Sequence, residues 1–221
     1  MPHRGRDGHL RKRRHLRGRG GDVRVSVLVT GGARSGKSSF AERWMMAHAG
    51  QAVYVATAQA FDREMEERIA LHRQQRTAAA YPWETREEPL RLAELLQALR
   101  TGQADPANAA PAGVDRPPAV LVDCLTLWLS NTLLALEGEE NMEPRLMEAI
   151  NKLVEQIQAY PAPLVLVTNE VGDGIVPEYR LGRVFRDYAG ILNRKVAAVS
   201  DQVFLVTVGI PIELKSREYH L

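Results

Sequence analysis

Residues 31–38 read Gly31-Gly32-Ala33-Arg34-Ser35-Gly36-Lys37-Ser38, directly after the apolar run Val25-Ser26-Val27-Leu28-Val29-Thr30 and before a helix-like segment. They match G-x-x-x-x-G-K-[ST], in which glycines let backbone N–H groups surround phosphate oxygens. The helix that follows directs its positive dipole end at the same anion. We therefore predict a phosphate-binding loop, with Lys37 on the β- and γ-phosphates and the Ser38 hydroxyl on Mg²⁺.

Apolar runs alternate with helix-like segments along the rest of the chain. Further strands are predicted at 52–57, 119–123, 163–170 and 202–208. Helices are predicted at 39–48, 62–76, 89–99, 125–136, 143–159 and 184–199, with a Pro- and Ala-rich loop at 101–118. Buried parallel strands read as continuous apolar runs. The alternation predicts a P-loop, RecA-like α/β domain: a mostly parallel sheet covered by helices on both faces, with its ligand at the carboxyl ends of the strands.

A chain of 221 residues suits one domain, which we place at 23–221. Residues 1–24 contain nine Arg or Lys residues against two Asp, although the whole chain has a formal charge of only +2. The segment 1–22 is almost free of apolar side chains and is predicted to be a disordered basic tail. Two interpretations stay open for it: a solvated extension, or an arm that binds nucleic acid.

The composition is typical of a globular enzyme. Hydrophobic residues make up 45% and charged residues 25%, and no apolar run approaches the roughly 18 residues that span a bilayer. Cys124 is the single cysteine, so an intrachain disulfide or a Cys-rich zinc site is excluded. We expect a cytoplasmic enzyme without a membrane span.

Two carboxylates follow apolar runs at predicted strand ends. Asp123 has the arrangement of an acid that holds Mg²⁺ directly or through water, and capping the next helix is the alternative. Glu170 could ligate, orient a substrate, or anchor the glycine-containing loop that follows it. Both are expected at the edge of the sheet where the phosphate loop lies.

Among the six histidines, His72 alone lies in a predicted helix, 62–76, beside arginines that could face a phosphate. Met65, Ile69 and His72 share one face of that helix, so periodicity alone favours a packed histidine over a catalytic one. His48 comes at the end of a predicted helix, where interaction with the last turn is the expected role.

Six further motifs accompany the phosphate loop. They are Ala56-Thr57-Ala58, Arg68-Ile69-x-x-His72-Arg73-x-x-Arg76, Trp83-x-Thr85-x-Glu87, Leu121-Val122-Asp123-Cys124-Leu125-Thr126, Val167-Thr168-Asn169-Glu170-Val171-Gly172-x-Gly174-Ile175-Val176-Pro177 and Arg186-Asp187-x-Ala189-Gly190-x-x-Asn193. From about Val25 to Val208 the chain resembles the bifunctional adenosylcobinamide kinase / adenosylcobinamide-phosphate guanylyltransferase family. The histidine helix and the Asn-Glu-Val-Gly block are the most specific parts of the resemblance.

The resemblance implies two reactions in cobalamin biosynthesis. ATP or GTP phosphorylates the aminopropanol hydroxyl of adenosylcobinamide, and GMP from GTP is then transferred to that phosphate with release of pyrophosphate. The guanylyl group passes through a histidine, which matches His72 and would attack the α-phosphorus through an imidazole nitrogen. GTP, ATP and adenosylcobinamide are thus the expected substrates and Mg²⁺ the expected cofactor.

The resemblance also implies further nucleotide contacts. Beyond residues 31–38 these are Ala56, Thr57, Ala58, Arg73, Gln74, Gln75, Arg76, Glu87 and Asp123, with Ser38 and Asp123 on the metal. A carboxylate can accept hydrogen bonds from the N1–H and 2-amino groups of guanine, which adenine does not offer, and Glu87 is the candidate. Because the segment 77–82 is longer than usual in the family, Glu84 and Glu88 stay alternatives, as does a merely solvated Glu87.

Family members form trimers, so a homo-oligomer is expected here, with no nucleic acid as partner. Two other functions stay open. One is a plain small-molecule kinase that uses Lys37, Ser38 and Asp123 while His72 is packed. The other is a nucleotide switch or nucleic-acid-binding module that acts through the basic tail.

Overall fold

A computed structural model of the chain describes residues 24–59, 80–102 and 116–220. The strands within these residues are β1 (Ser26–Thr30), β2 (Ala52–Ala56), β3 (Trp83–Glu87), β4 (Val120–Asp123), β5 (Leu164–Val167), β6 (Gln202–Thr207) and β7 (Ile210–Glu213). The helices are α1 (Lys37–His48), α2 (Leu92–Thr101), α3 (Leu125–Ala135), α4 (Met142–Ala159) and α5 (Arg180–Val199), followed by a short 3₁₀-helix (Lys215–Arg217).

The seven strands form one sheet in the order β3-β2-β4-β5-β1-β6-β7. Neighbouring strands are parallel except β7, which runs antiparallel to β6. Strand β5 lies between β1, which leads into the phosphate loop, and β4, which ends at Asp123. The predicted mostly parallel sheet is confirmed.

The register brings the carboxyl ends of four strands to one edge of the sheet. Val29 of β1 pairs with Val167 of β5, Val167 pairs with Asp123 of β4, and Asp123 pairs with Ala56 of β2. Polar residues that follow these strands are therefore close in space although they are far apart in sequence.

Helices pack on both faces of the sheet, as predicted. Helix α1 buries Ala41, Trp44 and Met45 against one face, in a core shared with the β-strand residues Val27, Val29, Tyr54, Leu121, Val165 and Val167. Helices α2 to α5 cover the other face. Helix α4 does so through Leu146, Ile150, Leu153 and Ile157, whose spacing is that of an apolar helical stripe.

Two strands are additional to the sequence-based expectation, and three element boundaries differ from it by three residues or more. Strand β3 was not predicted because it is an edge strand with mostly polar residues, and β7 returns from β6 through the tight turn Val208–Gly209. The strand predicted at 163–170 ends at Val167, where the chain turns into a loop. Helix α5 begins at Arg180 instead of 184, and α2 begins at Leu92 instead of 89.

Several predictions concern segments outside the described residues. These are the helix at 62–76 with His72, the basic tail at 1–22, and most of the loop at 101–118.

Candidate active site

The predicted phosphate loop joins the end of β1 to the start of α1. Its last residue before the helix, Gly36, has φ 92°, a left-handed conformation that favours glycine. The first turn of α1 contains no acidic residue, so the partial positive charge of the helix N-terminus is left for an anion. Loop and helix therefore have the backbone arrangement of a phosphate site.

The loop lies directly against β6 and the turn that follows it. A Cβ added to Gly31 would come 2.4 Å from the carbonyl oxygen of Val206, and one added to Gly36 would come 3.3 Å from Cα of Gly209. The Gly209 N–H donates to the Ser35 carbonyl at 2.9 Å. Glycine is thus required at both ends of the loop by close backbone packing as well as by phosphate access.

Lys37 is 92% buried, although lysine is almost never buried without a partner. Its Nζ donates to the carbonyl oxygen of Gly32 at 3.1 Å, so the side chain folds back over the loop. The buried hydroxyls of Thr30 and Ser35 make no hydrogen bond within the described part of the chain. The phosphate loop and the end of β1 therefore contain buried polar groups that the described residues leave without a hydrogen bond.

Asp123 is half-buried and ends β4. Side chains alternate along a strand, so Asp123 lies on the same face as Leu121, which packs in the core beneath α1. Its Oδ2 accepts a 3.0 Å hydrogen bond from the hydroxyl of Tyr54. The N-cap of α3 is Cys124, so the alternative that Asp123 is the N-cap of this helix is wrong.

The oxygen donors at this edge fit a magnesium ion. Mg²⁺ prefers oxygen ligands and is commonly held by one or two protein groups together with phosphates and water. Ser38, half-buried in the first turn of α1, offers a hydroxyl, and Asp123 offers a carboxylate on the same face of the sheet. These two residues are of the right chemistry to hold Mg²⁺ beside a triphosphate.

Thr57, directly after β2, fastens the ends of two strands together. Its buried Oγ1 donates to the Cys124 carbonyl at 2.6 Å and accepts from the Cys124 N–H at 2.8 Å. Asn131 Nδ2, from α3, donates to the carbonyls of Thr57 at 2.8 Å and Pro89 at 3.1 Å. The hydroxyl of Thr57 is thus engaged with backbone, while Ala56 and Ala58 on either side are half-buried.

The single cysteine is not suited to act as a nucleophile. Burial raises the pKa of the Cys124 thiol to about 12, and the nearby Asp123 carboxylate acts in the same direction. The thiol is therefore protonated at neutral pH, whereas the thiolate is the reactive form.

Glu84 and Glu88, two of the candidate guanine-binding carboxylates, accept hydrogen bonds from residues close to them in the chain. Glu84 Oε1 accepts a 2.7 Å hydrogen bond from Nε of the buried Arg86. Glu88 Oε1 accepts from the backbone N–H groups of Leu90 at 3.1 Å and Arg91 at 2.6 Å, immediately before α2. Glu84 thus pairs with a residue of its own strand, and Glu88 stabilises the connection from β3 to α2.

Glu87 has a different setting. It is exposed, it is the last residue of β3, and it lies in register with Ala56 at the end of β2. The following residue is held to the same strand, since the Glu88 N–H donates to the Ala56 carbonyl at 3.0 Å. Of the three carboxylates, Glu87 is the one that ends a strand at the edge of the sheet where the phosphate loop lies.

The loop after β5 contacts the phosphate loop through its backbone. The Glu170 N–H donates to the Gly31 carbonyl at 3.1 Å, and Glu170 Oε1 accepts from the Gly172 N–H at 2.8 Å. Arg186 of α5 donates to the Gly172 carbonyl through Nε and Nη2, at 3.2 and 2.8 Å. Of the three roles considered for Glu170, the observed contact is that of a loop anchor.

Asn193 of α5 holds the start of the same loop, at Thr168 and Asn169. Its Nδ2 donates to the Asn169 carbonyl at 3.0 Å, and its Oδ1 accepts from the Thr168 hydroxyl at 2.7 Å. Thr126 of α3 accepts from the Asn169 N–H at 2.7 Å. The polar groups beneath this edge therefore satisfy one another, which fixes the backbone around the site.

His48 has the expected position at the end of α1. Its Nδ1 is 2.7 Å from the Trp44 carbonyl oxygen, and its ring stacks on the indole with centroids 3.8 Å apart. The proposed nucleophile His72 and the contacts Arg73, Gln74, Gln75 and Arg76 lie outside the described residues.

A parallel sheet whose first strand runs into such a loop, with an acid at the end of β4, defines a P-loop nucleotide-binding protein. Residues 27–214 match the family model for cobinamide kinase / cobinamide phosphate guanyltransferase, and the chain belongs to this family. The resemblance drawn from the motifs is confirmed.

Curated relatives match over nearly their whole length. The bifunctional adenosylcobalamin biosynthesis protein CobU of Salmonella typhimurium is 42% identical over 199 residues, which cover 86% of this chain and 100% of the relative. The protein CobP of Pseudomonas aeruginosa, named in the same way, is 43% identical over 194 residues, with 85% and 96% coverage. A crystal structure of the RadB recombinase covers 82% of this chain and 73% of its own, at 14% identity and a TM-score of 0.39.

Across the described residues, none of the helices combines the length and the apolar character needed to cross a membrane.

The close packing of Gly31 generates a prediction. In Gly31→Ala the new Cβ has to displace the Val206 carbonyl or the loop, and overpacking of this kind costs roughly 1–3 kcal/mol. Affinity for a fluorescent GDP analogue should fall at least about tenfold in a binding titration.

Gly50→Ala is the matched control, since a Cβ there meets nothing within 4 Å. Its nucleotide affinity should equal that of the wild-type protein. Wild-type affinity in Gly31→Ala would show that the loop does not depend on this contact.

Proposed function

We propose that the protein phosphorylates adenosylcobinamide with ATP or GTP and then transfers GMP from GTP to the product through a guanylyl-His72 intermediate. The observation that carries the proposal is the convergence of the phosphate loop and Asp123 on one edge of the sheet, in a chain that belongs to the cobinamide kinase / cobinamide phosphate guanyltransferase family. The product is adenosylcobinamide-GDP, with pyrophosphate released.

In the kinase reaction, the aminopropanol hydroxyl oxygen attacks the γ-phosphorus. The bond from that phosphorus to the β,γ-bridging oxygen breaks, the nucleoside diphosphate leaves, and the hydroxyl proton passes to solvent. Catalysis of phosphoryl transfer is mostly positioning and charge stabilisation. The ammonium of Lys37 and the backbone N–H groups of the loop supply both, and the burial of Lys37 supports this role.

In the guanylyl reaction, an imidazole nitrogen of His72 attacks the α-phosphorus of GTP and pyrophosphate leaves. A phosphate oxygen of adenosylcobinamide phosphate then attacks the same phosphorus and displaces the histidine nitrogen. The covalent intermediate divides one difficult transfer into two easier ones. The same loop holds the β- and γ-phosphates in both reactions, which differ in the phosphorus that is attacked.

Ser38 and Asp123 are proposed to hold Mg²⁺, which supplies charge stabilisation to the triphosphate when it is bound. Ala56, Thr57 and Ala58 are proposed to line the nucleotide. Thr57 would fix the backbone there, since its hydroxyl is engaged with Cys124, its N–H with the Asp123 carbonyl and its carbonyl with Asn131. Arg73, Gln74, Gln75 and Arg76 are proposed as further contacts near His72. Glu87 is proposed to select guanine, and its place beside Ala56 supports this choice.

We also propose a cytoplasmic homo-oligomer, a trimer, with adenosylcobinamide and nucleotides as its ligands and no nucleic acid. Ile210 and Ile212 on the edge strand β7 are exposed, which supports contact with another copy. The plain-kinase alternative is not favoured, because the family has a guanyltransferase activity as well.

The covalent intermediate is directly testable. With GTP labelled at the α-phosphorus, the denatured wild-type protein should retain label in an acid-labile, alkali-stable bond, and His72→Ala should retain none. GTP labelled at the γ-phosphorus should leave no label on the protein, because pyrophosphate departs.

The control is His48→Ala, which removes an imidazole that is stacked on Trp44. This variant should retain as much label as the wild-type protein. Label in His72→Ala at the wild-type level would exclude His72 as the nucleophile. A wild-type protein that transfers γ-phosphate but is never labelled would be a plain kinase.

Guanine selection is tested by Glu87→Gln. The amide can accept from only one of the two guanine N–H groups and loses the charge, and hydrogen bonds to charged groups contribute roughly 1.5–3 kcal/mol. The half-saturating GTP concentration for labelling should rise roughly 10- to 150-fold, and the preference for GTP over ITP, which lacks the 2-amino group, should shrink.

Glu84→Gln and Glu88→Gln should keep the GTP/ITP ratio, since their carboxylates bind protein groups. Loss of the ratio in either of them, with Glu87→Gln unchanged, would reassign the guanine contact.

A further inference from the structure

Tyr54 makes a side-chain contact with the acid at the end of β4. It is the third residue of β2, only 4% exposed, and its hydroxyl donates to Asp123 Oδ2 at 3.0 Å. Leu121 pairs with Tyr54 and Asp123 pairs with Ala56, so the phenol reaches along the sheet toward the carboxyl ends of the strands. The contact lies on the face that α1 covers.

The phenol ring is held in place by other aromatic side chains. Trp83 of β3 lies edge-on to it, with centroids 5.8 Å apart and an interplanar angle of 89°. Tyr81 packs on Trp83 with centroids 4.7 Å apart, and its hydroxyl donates to the Ala49 carbonyl at 3.1 Å, directly after α1. The position of the Tyr54 hydroxyl, which donates to Asp123, is therefore fixed by packing that connects β2, β3 and α1.

The last side-chain torsion of an aspartate has a broad energy minimum, so its carboxylate can rotate. A buried donor on one oxygen restricts that rotation and leaves the other oxygen to contact a ligand. Outer hydrogen bonds of this kind orient metal-binding groups, and their loss typically costs 10- to 100-fold in metal affinity or activity.

We propose that Tyr54 is a positioning residue for the nucleotide site, which holds the Asp123 carboxylate through Oδ2 so that its other oxygen faces the Mg²⁺–triphosphate. The inference rests on the proposed role of Asp123. It adds a residue that itself does not touch nucleotide and acts only through this hydrogen bond.

The test is Tyr54→Phe, which keeps the ring and removes the donor. The concentration of Mg²⁺ that half-maximally tightens binding of a fluorescent GDP analogue should rise about 10- to 100-fold, while affinity for the analogue in EDTA should stay at the wild-type value. This readout requires no turnover. An unchanged Mg²⁺ requirement in Tyr54→Phe, with Asp123→Ala impaired, would overturn the inference.

Tyr160→Phe is the matched control for loss of a buried tyrosine hydroxyl. Tyr160 is 1% exposed and donates to the Pro118 carbonyl at 2.8 Å, just before the opposite end of β4. It should lower thermal stability about as much as Tyr54→Phe does but leave the Mg²⁺ requirement unchanged. An equal rise in the Mg²⁺ requirement in both variants would show that the rise comes from lower protein stability, and it would overturn the inference.

Asp123→Ala separates this inference from the proposed function. In an Asp123→Ala background, adding Tyr54→Phe should change the Mg²⁺ requirement no further, because Tyr54 acts through Asp123. A further rise of the same factor would show that Tyr54 acts elsewhere and would overturn the inference. If Asp123→Ala alone leaves the Mg²⁺ requirement at the wild-type value, the proposed role of Asp123 is wrong.

Discussion

The close backbone contact between the phosphate loop and the turn after β6 is the constraint on which the rest of the site depends. Gly31 lies against the Val206 carbonyl, and the Ser35 carbonyl accepts from the Gly209 N–H. This packing sets the position of the loop and thus of Lys37 and the start of α1. Because β1 is flanked by β5 and β6, the loop is positioned by the sheet on both sides. The loop after β5 adds a contact of its own to the Gly31 carbonyl.

The other strand ends are fixed by buried polar groups that satisfy one another. Thr57 and Asn131 tie the end of β2 to the start of α3 and to the connection after β3. Asn193 and Arg186 do the same for the loop after β5. Buried polar groups without partners are costly, so a complete network of this kind favours one backbone arrangement. The candidate nucleotide contacts among the described residues thus lie on a rigid edge, as precise phosphoryl chemistry requires.

The parts of the fold that sequence reasoning predicts well are those with a strong hydrophobic pattern. Strands β1, β4 and β5 are continuous apolar runs, and α4 has a clear apolar stripe. Strand β3, Trp-Glu-Thr-Arg-Glu, has no such run, since an edge strand is stabilised by backbone pairing on one side. The turn before β7 has Val208 at φ 48°, where a glycine or asparagine would have signalled a hairpin.

The candidate site also has parts that the sequence predicts and parts that it does not. The phosphate loop and Asp123 are recognisable because each belongs to a motif of consecutive residues. The roles of Tyr54 and Asn131 do not follow from the sequence, because their partners are determined by strand register and helix packing, which periodicity does not reveal. A buried asparagine in the apolar helix α3 is a usable signal, since such a group needs partners nearby.

We expect one phosphate loop to serve both reactions, and Lys37→Ala tests this most directly. Phosphorylation of adenosylcobinamide and guanylylation of the protein from α-labelled GTP would each be measured in a single turnover, with folding checked by thermal denaturation. Both rates should fall together, on the order of 10²-fold or more. A variant that has lost the kinase reaction but is guanylylated at the wild-type rate would show that the two reactions use separate sites.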